Sequence, residues 1–156
     1  MQGPAVAQDI MVTNLVTLAP SMDVFDAIDL LLKNRVSGAP VIDEEGEFLG
    51  VFSEQSCLEL LVDAAYEQLP STRLTPFIET EAPTIAEDAD LLTIARTFLR
   101  TTTRRLPVLR DGRLVGQISR RDVIGSAHKL MAVSRGKGSD LLYLSSLLSR
   151  EEAPIK

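Results

Sequence analysis

The 156 residues are 45% hydrophobic and 24% charged, with a formal charge of −6 and a pI near 4.8. That balance supports a buried core and argues against nucleic acid or an anionic membrane surface as the main partner. No apolar run approaches the ~20 residues of a membrane helix, and no basic region followed by an apolar stretch opens the chain. The expectation is a cytoplasmic protein without membrane or nucleic-acid contacts. Cys57 is the only cysteine, which excludes an internal disulfide and suits a small buried residue near a helix start.

In chain order the first predicted strand lies at Leu15, Val16, Thr17 and Leu18. Ser21 is then placed to cap a helix, with Asp23 and Asp26 in its first turn. Val24, Ala27, Ile28, Leu31 and Leu32 follow at helical spacing and form one apolar face. A short strand, Ala39 to Ile42, comes next, with Pro40 suited to a first strand position. A polar turn at residues 43–47 leads to a third strand at 48–52, and Ser53 opens a second helix.

The same order then recurs. Residues 16–42 align with 83–109, a shift of 67, pairing Asp23 with Asp90, Leu32 with Leu99, Pro40 with Pro107 and Val41 with Val108. One residue drops from a turn, and the match resumes as Gly46/Gly112, Gly50/Gly116 and Ser53/Ser119. In the second copy Asp88 is the cap candidate, and Leu91, Ile94, Ala95, Phe98 and Leu99 repeat the stripe. Asp111-Gly112 is a hairpin signal. A duplication of this length predicts two packed copies of one β-α-β-β-α unit, in a mixed α/β (α+β) fold related by a pseudo-two-fold axis. The expected division is 6–65 for the first unit, 66–82 for a connection and 83–131 for the second unit. Residues 132–156 then supply a flexible joint and a docking helix at 141–148.

Charge separates the copies. Residues 1–95 hold 17 acids against Lys33, Arg35 and Arg73, whereas residues 96–121 hold eight arginines and one acid, Asp111. Concentrated arginine suits a small anion, because guanidinium offers paired donors in a fixed fork. The copies end differently: G-V-F-S-E-Q-S in the first and G-Q-I-S-R-R-D in the second.

The repeated unit, the run Val36-Ser-Gly-Ala-Pro-Val and the Gly-x-h-Ser-x-x-Asp ending resemble a tandem pair of CBS domains, named for cystathionine β-synthase and also called a Bateman module. Asp9-Ile10-Met11, with Leu15-Val16-Thr17 behind it, is similar to the family's opening segment, and the resemblance covers residues 6–131. It implies a regulatory module without catalytic machinery that binds an adenine nucleotide (AMP, ADP or ATP) as regulatory ligand, with no obligatory cofactor. It also implies a homodimer and a protein partner that the sequence does not identify. Carried over by position, Ser119 and Asp122 take the ribose, Val16, Val36, Ser37 and Gly38 line the adenine, and Arg104 and Arg105 face phosphate. S-adenosylmethionine fits less well, since its sulfonium cation meets the arginine pair.

Plainer readings stand beside these. Ser119-x-x-Asp122 is also a helix capping arrangement. Gly50 and Gly116 suit close strand packing. His128 suits a helix surface, with no nucleophile or second metal ligand near it in sequence. In the first copy Ser56 stands where Asp122 stands in the second, and Ser37-Gly38 replaces the arginine pair. One competent cleft per chain is therefore expected. The competing function is a nucleotide-independent dimerisation scaffold. An enzyme is disfavoured, because no acid/base or nucleophile constellation is visible.

Overall fold

The computed structural model describes residues 5–66 and 73–134. The expected joint beyond 134 and the apolar stretch at 141–148 lie outside the described residues. The elements run α1 (Ala7–Ile10), α2 (Val24–Asn34), β1 (Gly38–Ile42), β2 (Phe48–Ser53), α3 (Glu54–Tyr66) and a 3-10 turn (Thr75–Phe77). They continue as β3 (Ile85–Ala86), α4 (Leu91–Arg100), β4 (Arg105–Arg110), β5 (Arg113–Ser119) and α5 (Arg120–Ser134). The described residues form two compact units: 14–66 and 73–82 with the hairpin tip 111–114, and 5–13 with 83–110 and 115–134. The mixed α/β class expected from the sequence is the one observed.

In the first unit β1 and β2 pair antiparallel, and Leu18 makes a single parallel bridge to Val41. In the second unit β3 pairs parallel with β4, which neighbours β5. The expected first strand is thus reduced to Leu18 in one copy and two residues in the other. Proline is the reason. Leu18 donates to the Pro40 carbonyl at 3.0 Å and accepts from Ile42 at 3.0 Å, so the preceding rung would need an N–H at Pro40. Pro40 and Pro107 occupy the third positions of β1 and β4, both buried, rather than the first positions expected. Each ends its parallel ladder from within the strand.

The caps also lie two residues later than expected. Asp23, not Ser21, accepts from Phe25 N–H at 2.8 Å, and Asp90, not Asp88, accepts from Thr93 N–H at 2.7 Å. A carboxylate there both satisfies an orphan donor and opposes the positive helix end. From these starts Val24, Ala27 and Leu31 are buried on α2, as are Leu91, Ile94 and Phe98 on α4. Leu32 and Leu99 are 73% and 86% exposed, because each sits one residue, about 100°, past the buried stripe. Asp111 and Gly112 have φ of 51° and 79°, the two left-handed residues of a tight hairpin turn.

Each unit has one core cluster. The first is built around Leu18, Val24, Leu31, Val41, Phe52 and Leu74, the second around Ala7, Ile94, Leu106, Val108 and Ile118. Ala7 and Leu74 are buried, 67 residues apart, and precede the repeats that the sequence alignment delimits. The hydrogen bonds that seat the two segments correspond. Ala7 N–H donates to Ala89 O at 2.9 Å, and Leu74 N–H donates to Met22 O at 2.9 Å. Val12 exchanges bonds with Gln117 at 2.9 and 3.0 Å, and Glu79 does so with Val51 at 2.8 and 3.0 Å. The connection therefore carries a lead-in segment equivalent to 7–12. In space, 7–12 folds with the second repeat and 74–79 with the first.

Cys57 packs partly buried against the first core, and burial raises its thiol pKa, with Glu54 adding to the rise. In the second unit Arg110 Nε donates to Glu87 Oε1 at 2.8 Å, and Arg110 Nη2 lies 2.7 Å from Glu87 Oε2. The hydrogen bond from Arg110 holds the Glu87 carboxyl below the usual carboxylate range.

Two predictions follow from this packing. At Gly50, φ is +151°, and a Cβ would run into the Glu79 carbonyl and the Ile78 methyl. Gly50→Ala is expected to lose about 2–4 kcal/mol in urea unfolding, combining backbone strain with overpacking. A depressed folded-state pKa means that Glu87 stabilises the fold above the unfolded carboxylate pKa, ~4.3, and that this is lost as pH falls through the lower folded value. Glu87→Gln should therefore reduce stability at neutral pH and flatten its decline between about pH 5 and the acid limit, read from melting temperature against pH.

Candidate functional site

Four of the residues singled out from the sequence lie together in the second unit. Ser119 closes β5 and Asp122 stands in the first turn of α5. Ser119 N–H donates to Asp122 Oδ2 at 2.8 Å, and Asp122 N–H donates back to Ser119 Oγ at 3.1 Å. This reciprocal pair is a capping box, so the plainer reading of Ser119-x-x-Asp122 holds in the structure. It leaves capacity unused. A carboxylate has about four lone-pair sites, and the cap takes one, on Oδ2. Among the described residues Oδ1 accepts no hydrogen bond.

Arg105 opens β4, so Arg105 and Ser119 both stand at the open end of the β4–β5 hairpin. Thr103 Oγ1 donates to the Arg105 carbonyl at 2.8 Å and fixes the backbone just before the strand. The side chains of Arg104 and Arg105 are exposed, and among the described residues neither guanidinium has an ion-pair partner. Arg120 lies in the first turn of α5, where the helix dipole disfavours a cation. Its guanidinium sits over the Phe98 ring, 5.9 Å from the centroid, an attraction that offsets this penalty. No local pattern signals that contact, because Phe98 and Arg120 are on different helices.

The other four residues lie in the first unit. Val16 and Val36 are partly buried against its core cluster. Arg35 adopts a left-handed conformation (φ 53°) that closes α2, and its N–H reaches the Leu31 and Leu32 carbonyls. The chain then turns into Ser37, whose carbonyl accepts from Glu54 N–H at 2.8 Å at the start of α3. Gly38 pairs with Ser53, and a Cβ on Gly38 would lie 3.2 Å from the Phe52 carbonyl. Close packing against β2 is thus one reason for glycine at this position.

The first unit's own counterpart of the capping box is neutral. Ser56 N–H donates to Ser53 Oγ at 3.3 Å, Ser53 N–H to Ser56 Oγ at 3.4 Å, and the hydroxyls are 3.3 Å apart. Ser56 is 6% exposed. These bonds are longer than those around Asp122 and involve no charge. Gly50 and Gly116 are filled from outside by the lead-in segments, Gly50 by Ile78 and Glu79 and Gly116 by Met11. His128 is exposed on α5. Among the described residues no group of three or more His, Cys, Asp or Glu could hold a metal ion, and no helix is long and apolar enough to cross a membrane.

The CBS domain model matches residues 6–63 and again 75–129. The chain belongs to the CBS-domain family. Both matches begin at the lead-in segments, so the family pattern includes them. An uncharacterised protein of Methanocaldococcus jannaschii is 32% identical over 117 residues, covering 75% of this CBS pair and 41% of that protein. CBSX1, a chloroplastic CBS domain-containing protein of Arabidopsis thaliana, is 31% identical, covering 73% of this chain and 59% of its own length. The chain thus spans 41–59% of these curated relatives. The crystal structure of CBSX2 in complex with AMP matches at a TM-score of 0.68 and 29% identity, covering 80% of this chain and 96% of that one.

The capping box sets a stability expectation apart from any ligand. Asp122→Ala removes the charged cap of α5 and should cost about 1 kcal/mol in thermal unfolding, whereas Asp122→Asn keeps an acceptor and should cost less.

Proposed function

We propose that this CBS pair is a non-catalytic regulatory module that binds one adenine nucleotide per chain (AMP, ADP or ATP). The observation that carries the reading is the Asp122 carboxylate, already oriented by Ser119 and with Oδ1 unengaged, next to the open hairpin end where Arg105 stands. An ionised carboxylate suits the two hydroxyls of a ribose, and charge-assisted hydrogen bonds of this type are among the stronger ones. In this reading Ser119 and Asp122 take the ribose, and Arg104 and Arg105 take phosphate. Val16, Val36, Ser37 and Gly38 supply the adenine contacts. A related pair, CBSX2, has been crystallised with AMP, which supports an adenine ligand here. The neutral Ser53–Ser56 pair offers no carboxylate, which motivates a stoichiometry of one.

Nucleotide would act by changing the contacts that the module offers to a protein partner or to its own twin. Regulatory coupling of this kind is typically about 1–3 kcal/mol. The homodimer would form through the second helices of the repeats, α3 and α5. The acidic chain, without a membrane-spanning helix among its described residues, would work in the cytoplasm without nucleic acid. A nucleotide-independent dimerisation scaffold is the second reading. It is favoured by the fact that capping alone already accounts for Ser119 and Asp122.

Titration calorimetry with AMP, ADP, ATP, adenosine and S-adenosylmethionine separates the two. One site per chain is expected, with S-adenosylmethionine the weakest ligand. Asp122→Ala should cost about 1.5–3 kcal/mol of binding, measured where the variant remains folded. Arg105→Ala should weaken AMP and ATP more than adenosine, and Ser56→Ala should leave the affinity unchanged. No heat with any nucleotide at millimolar concentration selects the scaffold.

A further inference from the structure

We propose that two copies of this chain meet through unlike helices, α3 of one copy against α5 of the other. This rests on the self-association in the proposed function and adds to it which helix meets which, and it does not depend on the nucleotide. Ser53 matches Ser119, so a shift of 66 residues superposes the two helices position by position. Leu58 then matches Ile124, and both point outward, 63% and 68% exposed. Along α3 the apolar face continues through Leu61, Val62 and Tyr66, all exposed, and a shallow groove of about 360 Å³ runs beside Leu58 and Val62. Large apolar side chains clustered on one exposed helix face mark a contact surface.

The charges around this face are inverted between the copies. Glu54 matches Arg120, and Asp63 matches Lys129. Gln55 matches Arg121, so the same edge gains a cation in the second copy. α3 carries Glu54, Glu59 and Asp63 with no base, while α5 carries Arg120, Arg121 and Lys129 against Asp122 alone, which is tied to Ser119. Two α3 faces would set acids against acids, and two α5 faces would set cations against cations. Only the unlike pair joins apolar centre to apolar centre with opposite charges at the margins.

Gly125 provides an independent observation. It lies in the interior of α5 on the exposed face, matching Glu59 of α3, and a Cβ built there meets nothing within 4 Å. Packing within the chain therefore does not require glycine, although glycine weakens a helix relative to alanine. A missing side chain at this position opens the α5 backbone to close approach from outside.

Charge reversal tests the pairing, read by sedimentation velocity over a range of concentration and salt. The wild-type chain should self-associate, and less so as salt rises. E59K/D63K and R121E/K129E should each weaken association by about tenfold or more, since each sets like charges together. The chain carrying all four changes restores opposite signs and should return to within roughly threefold of wild type. If like helices paired, each double variant would keep like charge against like and associate as wild type does, and that result overturns the proposal. A wild-type chain that stays monomeric at high micromolar concentration while still binding AMP overturns it too, leaving the nucleotide reading intact. Disulfide trapping in a Cys57→Ser background gives a second measurement. Leu58→Cys chains and Ile124→Cys chains should cross-link only when mixed, and cross-linking of either alone refutes the unlike pairing.

Discussion

Each unit of this protein is closed by backbone hydrogen bonds from a segment that lies outside the repeat detected in the sequence. Val12 with Gln117 and Glu79 with Val51 are the same exchange, written twice. The exchange works because Gly116 and Gly50 have no side chain where Met11 and Ile78 cross over. Once the segment is seated, Ala7 or Leu74 fills the core below, and both are buried. The 7–12 segment closes the unit that contains the second repeat, while 74–79 closes the unit that contains the first. The first repeat is closed by the segment that follows it in the chain, whereas the second takes its closing segment from before the first repeat, so its unit is discontinuous in sequence.

Within each unit the proline at the third position of the central strand fixes how far the parallel ladder extends. Pro40 and Pro107 have no N–H for the next rung, so residues 16 and 83 are left outside the sheet. Val16 is then held by apolar contact with the core rather than by strand pairing. A backbone edge released in this way keeps its polar groups for another partner. The glycine at Gly38 and the left-handed Arg35 turn the following segment back against β2 and the start of α3.

The two copies share this scaffold and differ in polarity. At the start of the second helix one copy has a pair of hydroxyls, Ser53 and Ser56, and the other a hydroxyl and a carboxylate, Ser119 and Asp122. Both solutions cap the helix, so the fold tolerates either. Only the carboxylate version adds a charged acceptor with an unused oxygen. The outward faces of α3 and α5 follow the same logic, with an apolar residue kept at 58 and 124 and the charge reversed on either side. The two copies share one frame, and differences in charge, mostly at exposed or half-buried positions, make them unequal.

The sequence by itself determined the repeat, the order of elements, the Asp111-Gly112 turn and the apolar stripes of α2 and α4. These depend on local chemistry and short periodicity. It also carried the capping residues, since Asp23 and Asp90 are aligned partners, although Ser21 and Asp88 are plausible caps until the helix start is known. The adenine, ribose and phosphate roles rest on resemblance, because a ligand leaves no periodic trace. Tertiary structure alone decided the exchange of the lead-in segments. Asp9-Ile10-Met11 and Pro76-Phe77-Ile78 share no obvious pattern, and their equivalence is a matter of hydrogen-bond partners more than 20 residues distant along the chain. It also decided the stacking of Arg120 on Phe98 and the outward turn of Leu32 and Leu99, which follow from where each helix meets its core. Periodicity specifies a helix face, but only the packed neighbours specify its edge.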